Sequence, residues 1–191
     1  MPEPVMAGSV EVQSSRGYSA TKSIDQLLSL PPEQRRVVTS TITPDTKVCI
    51  IGDGQGADTR RFAEVVNPGN VISVNYEQSE VEAANRSFLE AGLVVRMNEG
   101  DVTDIESLHA AGVVDGSQDL VVAAHVLEVP IFNTNVRGES TRLKAIQNEK
   151  NFVNNVARIL KPDGEALIFL YPNRLTPEQA KDLGVMQVSR E

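Results

Sequence analysis

The chain has 191 residues, of which 40% are hydrophobic and 23% charged, so its composition is that of one folded domain and not of a disordered chain. Its net charge of −8 argues against nucleic acid as a partner, because the surface would repel the phosphate backbone. No apolar run approaches the roughly 20 residues that cross a bilayer, and the start shows no secretory signal. We therefore expect a cytoplasmic protein with no membrane partner.

Cysteine and histidine are scarce. The one cysteine, Cys49, lies inside an apolar run, which predicts a buried core thiol and not a nucleophile. The only histidines are His109 and His125, and no Cys or His pair has the spacing of metal ligands. The sequence thus predicts no metal site.

The first part of the chain differs in character from the rest. Residues 1–22 are predicted as a flexible lead or lid, and residues 23–191 as the folded domain. Ser23 with Gln26 resembles a capping box and predicts a helix over SIDQLLSL. A second helical segment is predicted at PEQRRVVTS.

From residue 47 onward, strands are predicted to alternate with helices. The strand segments are KVCIIG, VISVN, LVVRM, DLVVAA and EALIFLY. Ser79 with Glu82, and Thr103 with Glu106, predict capping boxes at the starts of two intervening helices. This alternation predicts an α/β fold with a mostly parallel sheet covered on both faces. In such sheets ligands bind beyond the carboxyl ends of the strands, where the strand order reverses.

A glycine-rich loop follows the first of these strands, in VCIIGDGQGAD. Gly52, Gly54 and Gly56 fit the pattern GxGxG, but with Ala57 in place of the third glycine the loop also fits the dinucleotide pattern GxGxxA. Asp53 and the nearby Asp58 would compete with a phosphate at the helix N-terminus and would suit a cationic ligand. For Asp58, a simple helix-capping role explains its presence equally well.

The segment VCIIGDGQGAD resembles motif I of class I S-adenosylmethionine-dependent methyltransferases. GDVTD at 100–104, DLVVAAHVLEVP at 119–130 and ILKPDGEALIFLY at 159–171 are similar to further motifs of that family. The resemblance covers residues 46–172 and implies a three-layer, Rossmann-like fold that binds S-adenosylmethionine.

The resemblance also implies roles for single residues. The three loop glycines, with Asp53 between two of them, would face the methionine part and the ribose of the cofactor. Asp101 would accept a hydrogen bond from the adenine amino group, and Val102 would donate its backbone N–H to the ring. Ala124 and His125 would lie near the methionine part.

Two features depart from the family pattern. A carboxylate usually ends the second strand and accepts from both ribose hydroxyls, but Asn75 stands there; we predict that Glu77 replaces it in part. Only twenty residues follow Tyr171, enough for one helix and a short strand at VMQV. The sheet is therefore expected to be abbreviated at its C-terminal strands, or to be covered by a homodimer mate or partner subunit.

Three residues are candidates for a general base: His125, Glu128 and Tyr171. The segment after the fourth strand lacks the Asn/Asp-Pro-Pro-aromatic signature of nucleic-acid amine methylation, which favours a small-molecule acceptor.

The predicted function is methyl transfer from S-adenosylmethionine to that acceptor. Two alternatives remain open at this point. One is a catalytically inactive methyltransferase-like binding or partner subunit, and the other is an NAD(P)-dependent oxidoreductase.

Overall fold

The computed structural model of the chain describes residues 10–14, 20–37, 40–124, 126, 139–170 and 186–187. The strands are β1 (Val10–Ser14), β2 (Val48–Ile51), β3 (Val71–Asn75), β4 (Met97–Glu99), β5 (Gln118–Ala124), β6 (Leu160–Leu170) and β7 (Met186–Gln187). The helices are α1 (Ala20–Leu28), α2 (Ala57–Ala63), α3 (Gln78–Glu90), α4 (Ile105–Ala110) and α5 (Glu139–Ile159). Within these ranges no helix has both the length and the apolar character needed to span a bilayer.

The seven strands form one sheet in the order β4-β3-β2-β5-β6-β1-β7. Each pairing between these strands is parallel. The chain moves outward from β2 through β3 to β4, then returns to the other side of β2 to form β5. The strand order therefore reverses between β2 and β5, and the predicted α/β Rossmann-like architecture is confirmed.

The apolar strands are buried because helices cover both faces of the sheet. Along β2, Val48 and Ile50 pack in one cluster while Cys49 and Ile51 pack in the other, as the two-residue repeat of a strand requires. The Cys49 side chain is fully buried, and burial raises the pKa of its thiol to about 12. The prediction of a core thiol is confirmed.

The helices divide between the two faces. One face packs against α1 and α2, whose Ile24 and Phe62 are fully buried there. The other face packs against α4 and α5, which contribute Leu108 and Phe152. A smaller cluster joins α3 to Met97 of β4. These apolar clusters fix the three layers and hold the ends of the strands in place.

Part of the predicted lead segment, Val10–Ser14, forms a strand of the sheet. Val10–Ser14 pairs with residues 166–170 of β6, and β7, which lies within the predicted VMQV strand, pairs with β1. These strands cover the edge that β6 would otherwise expose, which satisfies its backbone groups. Helix α1 begins at Ala20, three residues before the predicted cap. The division of the whole chain at residue 22 stays a prediction.

Several local predictions were wrong, because a short sequence signal is a weak guide to where an element begins and ends. Within PEQRRVVTS the described residues form a 3-10 turn over Pro32–Gln34 and no helix longer than this turn. The strand predicted at LVVRM is displaced to Met97–Glu99. The cap of α4 is Asp104, whose side chain accepts from the backbone N–H of Glu106, and α3 begins after Glu77 without a side-chain cap.

Candidate functional site

The glycine-rich loop lies at the carboxyl end of β2, at the point where the strand order reverses. Gly52, Gly54 and Gly56 have φ angles of 74°, 55° and 84°, in the left-handed region that favours glycine. The backbone N–H of Gly52 donates to the carbonyl oxygen of Val74 at 2.9 Å, which ties the loop to the end of β3. The sequence thus predicted both the place of this loop and its need for glycine.

The glycines of the loop are not equivalent. A Cβ atom on Gly56 would lie 2.3 Å from Cζ of Phe88, so this glycine lets α3 pack against the loop. Among the described residues, neighbours in the chain aside, a Cβ atom on Gly54 would meet only Oε2 of Glu80, at 4.0 Å. Gly54 therefore offers an open backbone surface, whereas the α-carbon face of Gly56 is already covered by protein.

The carboxylate of Asp53 caps helix α2. Its Oδ1 accepts from the backbone N–H of Asp58 at 2.9 Å, and its Oδ2 accepts from that of Thr59 at 2.7 Å. Burial raises the pKa of Asp53, although the hydrogen bonds from Thr59 and Asp58 act in the opposite direction. Asp58 itself is only 2% exposed. The sequence left open whether Asp58 serves the helix or the ligand; Asp58 lies in the first turn of α2, and the hydrogen bonds to the amides of that turn come from Asp53. Whether Asp53 also contacts a cofactor stays a prediction.

Asn75 ends β3 and is 7% exposed. Its Nδ2 donates to Oε2 of Glu80 at 2.7 Å and lies 3.4 Å from the carbonyl oxygen of Gly54. Glu80 belongs to the first turn of α3. The sequence reasoning missed Glu80, since no periodicity signals that a residue five positions after a strand will turn back onto its last side chain.

A cleft of about 580 Å³ opens at the carboxyl ends of β3 and β4. Its lining residues are Tyr76, Glu77, Gln78, Glu99, Gly100, Asp101, Ser107 and Ala110. Within this described lining, three side chains are carboxylates and no residue is Lys or Arg. The cleft therefore carries negative charge and suits a cationic ligand better than a diphosphate.

Two of the predicted cofactor residues line this cleft and one lies beside it. Glu77 is exposed at the start of α3. Asp101 accepts from both the backbone N–H and the hydroxyl of Thr103 at 2.8 Å through Oδ1. Val102 is buried, and its carbonyl oxygen accepts from Nδ2 of Asn155 at 2.8 Å. These bonds fix the backbone after β4 and leave Oδ2 of Asp101 as the oxygen for an external donor.

Tyr76 is a cleft residue that the sequence reasoning did not single out. Its side chain is 62% exposed although it follows directly after a buried strand. An exposed aromatic ring at the carboxyl end of a parallel strand was the signal that could have identified it.

The remaining candidate residues lie at the end of β5 or outside the described residues. Ala124 ends β5, where it pairs in register with Phe169 of β6. His125, Glu128 and Tyr171, the predicted bases, lie outside the described residues. The cofactor-contacting roles of the described residues and the catalytic roles of these three residues all stay predictions.

Solved structures share this fold at low sequence identity. The YcgJ protein from Bacillus subtilis is 22% identical with a TM-score of 0.54, covering 77% of this chain and 49% of its own. The PH0226 protein from Pyrococcus horikoshii OT3 is 16% identical with a TM-score of 0.49, covering 82% and 61%. A geranyl diphosphate methyltransferase in complex with SAM is 14% identical with a TM-score of 0.49, covering 74% and 45%.

The chain spans about half to three fifths of the length of the first two of these neighbours. No curated protein matches the sequence. A family model described as a methyltransferase domain matches residues 42–186, which include the glycine loop, the cleft and the sheet from β2 to β6. The chain therefore belongs to this methyltransferase-domain family, and its cofactor is S-adenosylmethionine.

Proposed function

We propose that this chain transfers the methyl group of S-adenosylmethionine to a small-molecule acceptor. The observation that carries the proposal is the carboxylate-lined cleft at the carboxyl ends of β3 and β4. The glycine loop follows β2, the strand next to β3 in the sheet. S-adenosylmethionine brings an ammonium and a sulfonium cation, which an acidic site attracts. It also supplies an activated methyl group, so the protein need only align the acceptor and exclude water.

The capping role of Asp53 argues against the oxidoreductase alternative. A dinucleotide places its pyrophosphate on the amides at a helix N-terminus. In this chain the amides of Asp58 and Thr59 are already bonded to the Asp53 carboxylate. A diphosphate would have to displace that carboxylate and then face its charge.

Three groups of the cleft support binding of the adenosine part. The exposed ring of Tyr76 offers a flat apolar surface on which a base can stack. Oδ2 of Asp101 can accept from an exocyclic amino group, since Oδ1 is held by Thr103. Val102 would donate its backbone N–H to the base, as the family resemblance implies.

The small-molecule acceptor follows from charge. The net charge of −8 and the acidic cleft both disfavour a nucleic acid acceptor. We propose His125, Glu128 or Tyr171 as the group that removes a proton where the acceptor needs it. The cytoplasmic location and the homodimer or partner subunit also stay proposals.

Calorimetric titration tests the cofactor. We expect S-adenosylmethionine and S-adenosylhomocysteine to bind and NAD⁺ and NADP⁺ to give no heat. Asp101→Asn should weaken S-adenosylhomocysteine binding about tenfold, because a charge-assisted hydrogen bond becomes a neutral one. Asp115→Asn is the matched control: Asp115 is exposed, lies between α4 and β5, and should leave affinity unchanged.

Release of S-adenosylhomocysteine in the presence of pooled small metabolites, protein and RNA would then test transfer. Turnover on the metabolite pool alone supports the proposal. Turnover that requires RNA or protein contradicts the proposed acceptor class. Cofactor binding without turnover on any pool favours the inactive-subunit alternative, which the absence of a carboxylate at Asn75 also favours.

A further inference from the structure

The amide of Asn75 has a defined orientation. Its two nearest partners are the carboxylate of Glu80 and the carbonyl oxygen of Gly54, at 2.7 and 3.4 Å. Both partners can only accept, so the NH₂ group of the amide must face them and Oδ1 must point away. Asn75 therefore acts here as a donor to Glu80, a role that an ionised aspartate could not fill.

Glu80 occupies the position over the open glycine. Its Oε2 is the one heavy atom that the described residues, neighbours in the chain aside, bring within 4 Å of a Cβ built on Gly54. Glu80 is half-buried in the first turn of α3, with the Asn75 amide on one side. An ionised carboxylate has about four acceptor sites, and Asn75 uses one of them. Among the described residues no other side chain bonds to this carboxylate, which leaves acceptor sites for a donor that lies on Gly54.

We propose that Glu80, held in place by Asn75, is the carboxylate that receives the ribose hydroxyls of the cofactor. This inference rests on the proposed function. A vicinal diol presents two O–H donors side by side, which a carboxylate accepts as a pair. The negative charge that is absent from the end of β3 is thus supplied from the start of α3. Glu77, the residue predicted for this task, is exposed on the cleft wall and is the rival assignment.

The hydrogen bond between Asn75 and Glu80 limits the charge that a side chain at position 75 can carry. Asn75→Asp would place a second carboxylate at hydrogen-bond distance from Oε2 of Glu80. Two carboxylates that close repel one another, and one of them must take up a proton or move. Introducing an acidic residue at position 75 should therefore weaken cofactor binding. The double variant Asn75→Asp/Glu80→Gln exchanges the two groups and should recover much of the loss.

The first experiment measures S-adenosylhomocysteine affinity by calorimetry. We expect Glu80→Gln to bind ten- to a hundredfold more weakly than the wild type, the range for hydrogen bonds to a charged group. Glu82→Gln is the matched control, since Glu82 lies on the same helix, is exposed, and accepts from Nε2 of Gln78 at 3.0 Å. Asn75→Asp should bind more weakly than Asn75→Asp/Glu80→Gln.

The second experiment ties Glu80 to the ribose. Affinities of 5′-methylthioadenosine and its 2′,3′-dideoxy counterpart are compared within each variant, so that a general loss of structure cancels. The wild type and Glu82→Gln should lose at least tenfold when the hydroxyls are removed, and Glu80→Gln should lose little. Far-ultraviolet circular dichroism and thermal unfolding show whether each variant is folded, and Glu80→Asp provides a second variant that keeps the charge.

The outcomes separate the two proposals. If the wild type binds neither S-adenosylhomocysteine nor the two nucleosides, both the proposed function and this inference are wrong. If the wild type binds and Glu80→Gln keeps its preference for the hydroxyls, the Glu80 assignment alone is overturned. If Glu77→Gln loses that preference and Glu80→Gln keeps it, the rival residue is the ribose ligand. A loss confined to Glu80→Gln, with recovery in the exchanged double variant, supports the inference.

Discussion

Both ends of the sheet carry charged side chains, but the two ends differ in the groups that bond to these side chains. At the amino ends of β2, β5 and β6 a cavity of about 340 Å³ is lined by Asp119, Lys161 and Glu165 among others. There Nζ of Lys161 lies 2.5 Å from Asp119, and the buried Glu165 accepts from the backbone N–H of Ser40 at 3.3 Å. The charged residues of this cavity thus include a cation, Lys161, that balances the carboxylate of Asp119.

At the carboxyl ends of β2, β3 and β4 the carboxylates are held by neutral groups. Asp53 is fixed by backbone amides, Glu80 by the amide of Asn75, and Asp101 by Thr103. Neutral donors orient a carboxylate without cancelling its charge, so this end keeps its negative charge for a ligand. Among the described residues, the amino end thus pairs a carboxylate with a cation, whereas the carboxyl end holds its carboxylates with neutral donors, as the proposed function requires.

The largest effect is expected at Gly56, the glycine of the loop that packs against Phe88. Gly56→Ala should destabilise the fold by about 3 kcal/mol or more, because the new Cβ would overlap Phe88 and the φ of 84° is strained for alanine. Urea unfolding measures it. Gly116→Ala is the control: its φ is 60° but a Cβ there meets nothing within 4 Å, so only the backbone cost of about 1 kcal/mol remains. Equal losses in the two variants would contradict the packing role.

A smaller effect is expected at the helix cap of the binding end. Asp53→Ala should lower the free energy of unfolding by about 1 kcal/mol, since the amides of Asp58 and Thr59 lose their acceptor. Asp53→Asn should lose less stability than Asp53→Ala, because the amide oxygen of asparagine still accepts one hydrogen bond. Chemical denaturation of the two variants checks the order. An alanine variant as stable as the wild type would mean that water replaces the cap without cost.

We expect the residues at the amino ends of the strands to contribute little to cofactor binding. Lys161→Met removes the partner of Asp119 and should cost less than about 1 kcal/mol, because both side chains are about one-third exposed. Affinity for S-adenosylhomocysteine should stay within twofold of the wild type, in contrast to Glu80→Gln. Calorimetry on the two variants side by side tests the contrast, and a large loss in Lys161→Met would break it.

The smallest effect concerns pH and lies at Asp115, in the turn that leads into the amino end of β5. Hydrogen bonds from His109 and Arg158 hold the pKa of Asp115 below its ordinary value of 3.8. As the pH falls, the unfolded chain takes up this proton before the folded one, so the contribution is present above pH 4 and is lost below it. Asp115→Asn should therefore be less stable than the wild type at pH 7, with a difference that shrinks towards pH 3. Thermal unfolding at several pH values measures it; a constant difference would exclude the linkage.

The sequence indicated the parts of the fold that depend on local pattern. The apolar run around Cys49 predicted a strand buried on both faces, because covered parallel strands have no polar side. The three glycines predicted a left-handed loop at the carboxyl end of that strand, since other residues pay a steric penalty there. Capping boxes were less informative, because a single Ser or Thr competes with nearby Asp104 and with packing of the helix.

The sequence by itself determined the alternation of strands and helices, the glycine loop and the acidic character of the chain, since these follow from residue type and spacing. The tertiary structure decided which carboxylate caps α2, that Val10–Ser14 joins the sheet beside β6, and that Phe88 packs on Gly56 from 32 positions away. The tertiary structure also brought the carboxylate of Glu80 within hydrogen-bond distance of the Asn75 amide. Contacts of this kind depend on how the layers pack in three dimensions, and no one-dimensional pattern encodes the distance between two atoms from different elements.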